Sequence, residues 1–232
     1  MRRREFISLL GAAVAWPLAA RAQQAKLPTI GFLGPSTPSG FSKEVAAFAQ
    51  RLKELGWMEG RTVSIEYRWA EGRNERYAEI AAEFVRLKVD VIVTSGTAVP
   101  ALKRATSVIP IVFGVGADPV GSGFVASLAR PGGNITGLST QSPELAGKRI
   151  EVLREVLPSV RRLAIMANVA YRGAVLEMGE AEEAARRLGL EPTRIEIRRV
   201  EDIASAITAQ KGQADALYAC ADALVMPVLT HS

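Results

Sequence analysis

The sequence specifies an α/β protein built as two open lobes, each around a parallel sheet, with a cleft between them. Three observations carry that expectation. The 232 residues are 48% hydrophobic and 23% charged, a globular balance with room for one large domain or two small ones. Brief β-rich apolar runs alternate with helical patterns, as in a sheet whose strands are joined by helical crossovers. Strand centres near positions 30, 65 and 92 are matched by centres near 165, 196 and 217, a repeat of architecture with little residue identity.

The first lobe spans residues 28–139. Thr29 to Leu33 reads as a strand that ends in the glycine- and proline-bounded loop Gly34 to Gly40. A helix over Ser42 to Leu55 places Val45, Phe48, Leu52 and Leu55 on one apolar face, and Gly56 and Gly60 stop it. Val63, Ile65 and Tyr67 alternate with polar neighbours, as in an edge strand. Asn74 is a candidate cap for a helix with the stripe Tyr77, Ile80, Phe84 and Leu87. Val91 to Val93 is apolar throughout, which suits a central strand covered on both faces. Pro100 fits the start of a helix over Ala98 to Ala105. Ile111 to Phe113 forms a fourth strand, Phe124 to Leu128 a short helix, Arg130 to Asn134 a turn, and Ile135 to Ser139 a fifth strand.

The second lobe spans residues 140–232. Ser142 as N-cap and Pro143 behind it open a helix carrying Leu145, Ile150, Leu153 and Leu157. Strands follow at Leu163 to Met166, at Ile195 and Ile197, and at Ala216 to Ala219, with helices over Ala174 to Leu188 and around Ile203 and Ile207. About three strands is few for an open sheet, where five or six are typical, so an incomplete second lobe is expected.

Residues 1–22 read as a removable leader. Arg2 to Arg4 precede an apolar run from Phe6 to Ala20, and Ala20-Arg21-Ala22 offers cleavage after Ala22. The run is roughly 15 residues, short of the ~20 that span a membrane. Arg3-Arg4-Glu5-Phe6-Ile7 has twin-arginine spacing, which suggests export of a folded protein to a periplasm. The leader carries three of the formal +5 charges, so the rest of the chain holds about +2, too little to imply a nucleic-acid surface. One cysteine, Cys220, and one histidine, His231, deny the chain a disulfide framework, a multi-cysteine zinc site and the commonest hydrolase designs. No cofactor is expected. Gly114-Val115-Gly116 and Gly121-Ser122-Gly123 lack the full dinucleotide pattern, and no phosphate loop is present.

Ligands of open parallel sheets bind beyond the carboxyl ends of strands, and that rule selects the candidate site. Ser36 and Thr37 follow the first strand, where they offer hydroxyls or simply cap a helix. Ser95, Gly96 and Thr97 allow close backbone approach to an anionic group, or form an ordinary strand-to-helix turn. Asp118 can receive an ammonium, although Asp-Pro is also a common turn starter. Past the strand ending at Met166, Asn168 can exchange hydrogen bonds and Tyr171 can stack on a planar ligand; the plainer alternative is a turn asparagine and a surface tyrosine. Asp222 follows the strand ending near Ala219. Cys220 reads as a small core residue, and the pairs Arg161-Arg162 and Arg186-Arg187 as solvated charge.

Several segments together are distinctive: Ile30-Gly31-Phe32-Leu33-Gly34, Leu55-Gly56-Trp57, Ile65-Glu66-Tyr67-Arg68-Trp69-Ala70, Thr94-Ser95-Gly96-Thr97, Asp118-Pro119-Val120-Gly121 and Leu128 to Gly137. With the leader, they resemble the ABC transporter substrate-binding protein family related to tryptophan and tyrosine uptake. The match is firm over the first lobe and looser over the second. The resemblance implies a type I periplasmic binding protein fold, two Rossmann-like lobes that close over a small organic solute, with amino-acid-like molecules among the candidates. It also implies delivery to a membrane permease driven by a cytoplasmic ATPase, with the binding protein a monomer and not an enzyme. Family members extend by roughly 90 further residues, so a C-terminally truncated chain is expected. Two other readings compete: an exported sensing module for a membrane receptor, and a non-functional remnant. An acid-base enzyme using Asp118 and Asp222 ranks below them, because no nucleophile or metal set accompanies the pair.

Overall fold

The computed structural model describes residues 26–225. The leader, its cleavage position after Ala22, and His231 lie outside the described residues. Among the described residues, eight strands form two wholly parallel sheets, one of five strands and one of three.

The first sheet contains β1 (Thr29–Gly34), β2 (Ser64–Trp69), β3 (Val91–Thr94), β4 (Ile111–Gly116) and β5 (Ile135–Ser139), in the order β2-β1-β3-β4-β5. β3 therefore sits centrally and β2 at an edge, as its apolar run and β2's alternation require. Helix α1 (Ser42–Glu54) covers one face. On the other lie α2 (Arg76–Leu87) and α3 (Val99–Ala105), which enter a core with Leu33, Ile92, Ile111 and Phe113. Phe84 is fully buried there and packs on Gly31, where a Cβ would come within 2.9 Å of its ring.

The second sheet has β6 (Arg162–Asn168) in the middle, flanked by β7 (Glu191–Ile197) and β8 (Ala216–Ala219). β6 is apolar from Leu163 to Ala167 because both its faces are covered. Leu163, Ile165 and Ala167 join the large core beneath α4 (Ser142–Val156) and α5 (Arg172–Arg187), whereas Ala164 and Met166 meet Ile203 of α6 (Glu201–Ala209).

Four local expectations are corrected. Phe124 to Leu128 is bent, irregular chain, not a helix. Five residues cannot offset helix nucleation, Gly123 holds a φ of +74°, and Ser127 bonds Arg130 at both backbone groups. Phe124 and Val125 are buried all the same, and the Lys103 ammonium donates 2.6 Å to the Gly123 carbonyl. Ser142 is inside α4; Gln141 occupies the cap position with a φ of 49°, and the Ser142 hydroxyl pairs with Thr140 at 2.8 Å. Asn74 does not cap α2. Its amide instead reaches the Arg198 carbonyl at 3.1 Å, across to the second sheet's side. Leu55 and Leu87, expected on buried stripes, are 59% and 41% exposed at the ends of their helices.

Candidate functional site

The strand orders locate the site. In the first sheet the chain passes outward from β1 to β2 and returns on the opposite side at β3, so the crossovers diverge at the carboxyl ends of β1 and β3. In the second sheet the same divergence falls between β6 and β8. A cavity of about 490 Å³ lies between these two points, bordered by Leu33, Thr94 to Thr97, Tyr171 and Ala221 to Ala223. That volume suits a small organic ligand.

One wall is aromatic. Phe32 of β1 and Phe48 of α1 have ring centroids 5.5 Å apart, and Phe41 lies edge-on to Trp69 at 6.4 Å. Gly34 is required beneath this wall, since a Cβ there would overlap the Trp69 ring. A second wall carries hydroxyls. Ser95 and Thr97 pair at 2.9 Å, the Tyr77 hydroxyl meets Thr97 at 3.2 Å, and Thr140 donates to the Gly116 carbonyl at 3.3 Å.

Asp222 supplies the charge. It is 4% exposed; its Oδ1 accepts from the Leu224 amide at 2.7 Å and the Asn168 amide at 3.4 Å. Oδ2 accepts no hydrogen bond from any described residue. Removal from water is the dominant cause that pushes its pKa up to about 6, partly opposed by those hydrogen bonds. Glu44 of α1 is the other carboxylate on the lining, and no lysine, arginine or histidine accompanies them among the described residues.

A buried ion cluster holds the Asp222 turn. Glu177 of α5, with a fully buried side chain, accepts from Arg149 at 2.8 Å, from the Tyr218 hydroxyl at 2.7 Å and from the Ala221 amide at 2.9 Å. Among the described residues, no group of three histidine, cysteine or carboxylate side chains is placed to hold a metal ion.

Of the residues singled out from sequence, Ser95, Gly96, Thr97, Tyr171 and Asp222 border the cavity. Tyr171 is buried; its hydroxyl accepts from the Ala117 amide at 2.9 Å and so ties the two sheets together. Gly96 must be glycine at this junction, because a Cβ would stand 2.7 Å from that hydroxyl oxygen. Ser36, Thr37, Asp118 and Asn168 stand off the cavity surface. Ser36 and Thr37 shape the loop before α1, where Thr37 accepts from Gly40 at 3.2 Å. Asp118 closes its own turn through the Gly121 amide at 2.8 Å. Asn168 is buried; its Oδ1 accepts from the Ala170 amide and its Nδ2 donates to Asp222. Sequence reasoning missed Phe32, Phe41, Phe48, Glu44 and Thr140 as lining residues. Phe48 was visible as part of an apolar helix face, but periodicity does not distinguish a cavity wall from a core.

The two parallel sheets facing one cavity have the fold of type I periplasmic binding proteins, and solved structures share it. A conserved domain protein from Vibrio cholerae O1 biovar eltor str. N16961 matches with 28% identity and a TM-score of 0.78, over 88% of this chain and 72% of that one. An ABC domain from Streptococcus pneumonia, solved with L-Trp, shares the fold at 22% identity and a TM-score of 0.75, with the same two coverages. The family model for "ABC transporter substrate binding protein" matches residues 36–230, and the chain belongs to that family. A curated relative, the tyrosine-binding protein of Clostridioides difficile (strain R20291), is 27% identical over 192 residues. That alignment takes in 81% of this chain and 55% of the relative, so the chain spans about half the relative's length.

Proposed function

We propose that the protein captures an amino acid with an aromatic or large apolar side chain and delivers it, chemically unchanged, to the permease of an ABC importer driven by a cytoplasmic ATPase. The observation that carries this reading is the buried Asp222 carboxylate, with one oxygen unpartnered among the described residues, at the edge of an aromatic-walled cavity. An ammonium group supplies the missing hydrogen bond and the opposite charge. The hydroxyls of Ser95, Thr97 and Thr140 receive the ligand carboxylate, and Phe32, Phe41 and Phe48 enclose its side chain. Asn168 and Glu177 position Asp222. Lobes 28–139 and 140–232 close over the ligand because it binds the closed form better. The leader directs twin-arginine export and is cut after Ala22, which places the protein in the periplasm as a monomer. The relative that binds tyrosine supports the ligand class.

Calorimetry on the full chain with the standard amino acids tests this directly. Tyrosine or phenylalanine is expected to bind, and Asp222→Asn to weaken that binding by about 2–5 kcal/mol. Equal affinity of the variant and the parent would overturn the assignment of Asp222.

A further inference from the structure

The charges on the cavity surface are one-sided. Asp222 and Glu44 are both carboxylates, and no described lining residue is cationic. The side chains that would receive a ligand carboxylate are neutral hydroxyls, and to donate to it they must share or give up existing partners: Ser95 with Thr97, and Thr140 with Ser142. For a ligand ammonium, by contrast, the lining offers Asp222, a buried carboxylate with one oxygen that no described residue satisfies. Charge-assisted hydrogen bonds are roughly twice as strong as neutral ones, and a carboxylate entering here is also repelled by two like charges. The aromatic wall of Phe32, Phe41 and Phe48 offers a carboxylate neither positive charge nor a hydrogen-bond donor.

We propose that the ammonium and the aromatic body are the recognised features, so that arylalkylamines lacking a carboxylate are a second ligand class of this cavity. This rests on the amino-acid reading above and deepens it. The ligand carboxylate is tolerated by the hydroxyl wall; the ammonium is required by Asp222.

Two matched trios separate the contributions: tyrosine, tyramine and 3-(4-hydroxyphenyl)propionate, and phenylalanine, phenethylamine and 3-phenylpropionate. Each is titrated calorimetrically into the full chain at neutral pH. The amine is expected within about tenfold of the amino acid's Kd, and the acid at least ~100-fold weaker than either. Asp222→Asn, with its fold checked by circular dichroism, is expected to weaken the amine at least ~10-fold. An amino acid that binds while its amine falls more than about tenfold behind overturns this inference and leaves the amino-acid reading standing. An acid that matches its amine overturns it too. Binding by neither amine nor amino acid in both trios overturns both readings.

Discussion

Asp222 joins stability, ligand binding and pH in one side chain. Its ordinary pKa is 3.8 and its folded value about 6, so between those values the folded chain holds a proton that the unfolded chain releases. Stability therefore falls as pH rises through that window, by about 3 kcal/mol at most, and this contribution is constant above it. Burial pushes the neighbouring Tyr77 and Tyr171 up to about 12 and raises the Cys220 thiol, so none of these three titrates in that window. The melting-temperature difference between the parent and Asp222→Asn is expected to shift against the parent between pH 4 and pH 6.5. Affinity for a cationic ligand runs the other way and weakens as the pH drops below about 6, because a protonated Asp222 has no charge to offer. A difference flat across that range in thermal melts would show that Asp222 ionises like an exposed carboxylate. This residue was legible as a position beyond the last strand, but its missing hydrogen bond was not. That depends on which groups the fold brings near Oδ2.

Glu177 shows how far single elements can be read from sequence. On helix α5 it falls among Glu180, Glu182 and Glu183, a run that reads as a solvated face. The fold instead turns it inward, against α4, β8 and the Ala221 amide. Glu177→Ala leaves the Tyr218 hydroxyl and that amide without their acceptor; Arg149, 40% exposed, recovers water. Denaturant unfolding is expected to show a loss of about 2 kcal/mol. Glu177→Gln, which keeps an acceptor oxygen, is expected to lose less. The strands were legible because buried parallel strands need continuous apolar runs, as in Leu163 to Ala167. Helix starts were less so: Asn74 and Ser142 are good capping residues by type, yet Asn74 is claimed by the distant Arg198 carbonyl and Ser142 by Thr140, two residues before it.

At the scale of the molecule, contacts from both sides frame the cavity. Tyr171 meets Ala117, Asn74 meets Arg198, and Arg172 donates to the Gly121 carbonyl at 3.0 Å. Alternation of strands and helices made the two-sheet plan legible, and the rule that ligands sit past strand ends selected Ser95 to Thr97, Tyr171 and Asp222. The aromatic wall was hidden because Phe32 and Phe48 carry the same apolar signal as core residues. Cys220 is the chain's single cysteine and is fully buried in the continuous core. Burial also raises its thiol, so a thiol reagent reaches it only when the structure opens. Labelling is expected to be slow in the native chain and slower with ligand bound, roughly in proportion to ligand occupancy. Rapid labelling under native conditions would place Cys220 outside the packed interior.

The aromatic wall belongs to the first sheet and its helix, whereas Asp222 and its supports belong to the second. In the proposed reading the two halves answer separate questions about an incoming molecule: one asks the shape of its tail, the other whether its head carries positive charge. A chimera that kept the second half and borrowed its first from a relative would change which tails are accepted while leaving the demand for an amine intact.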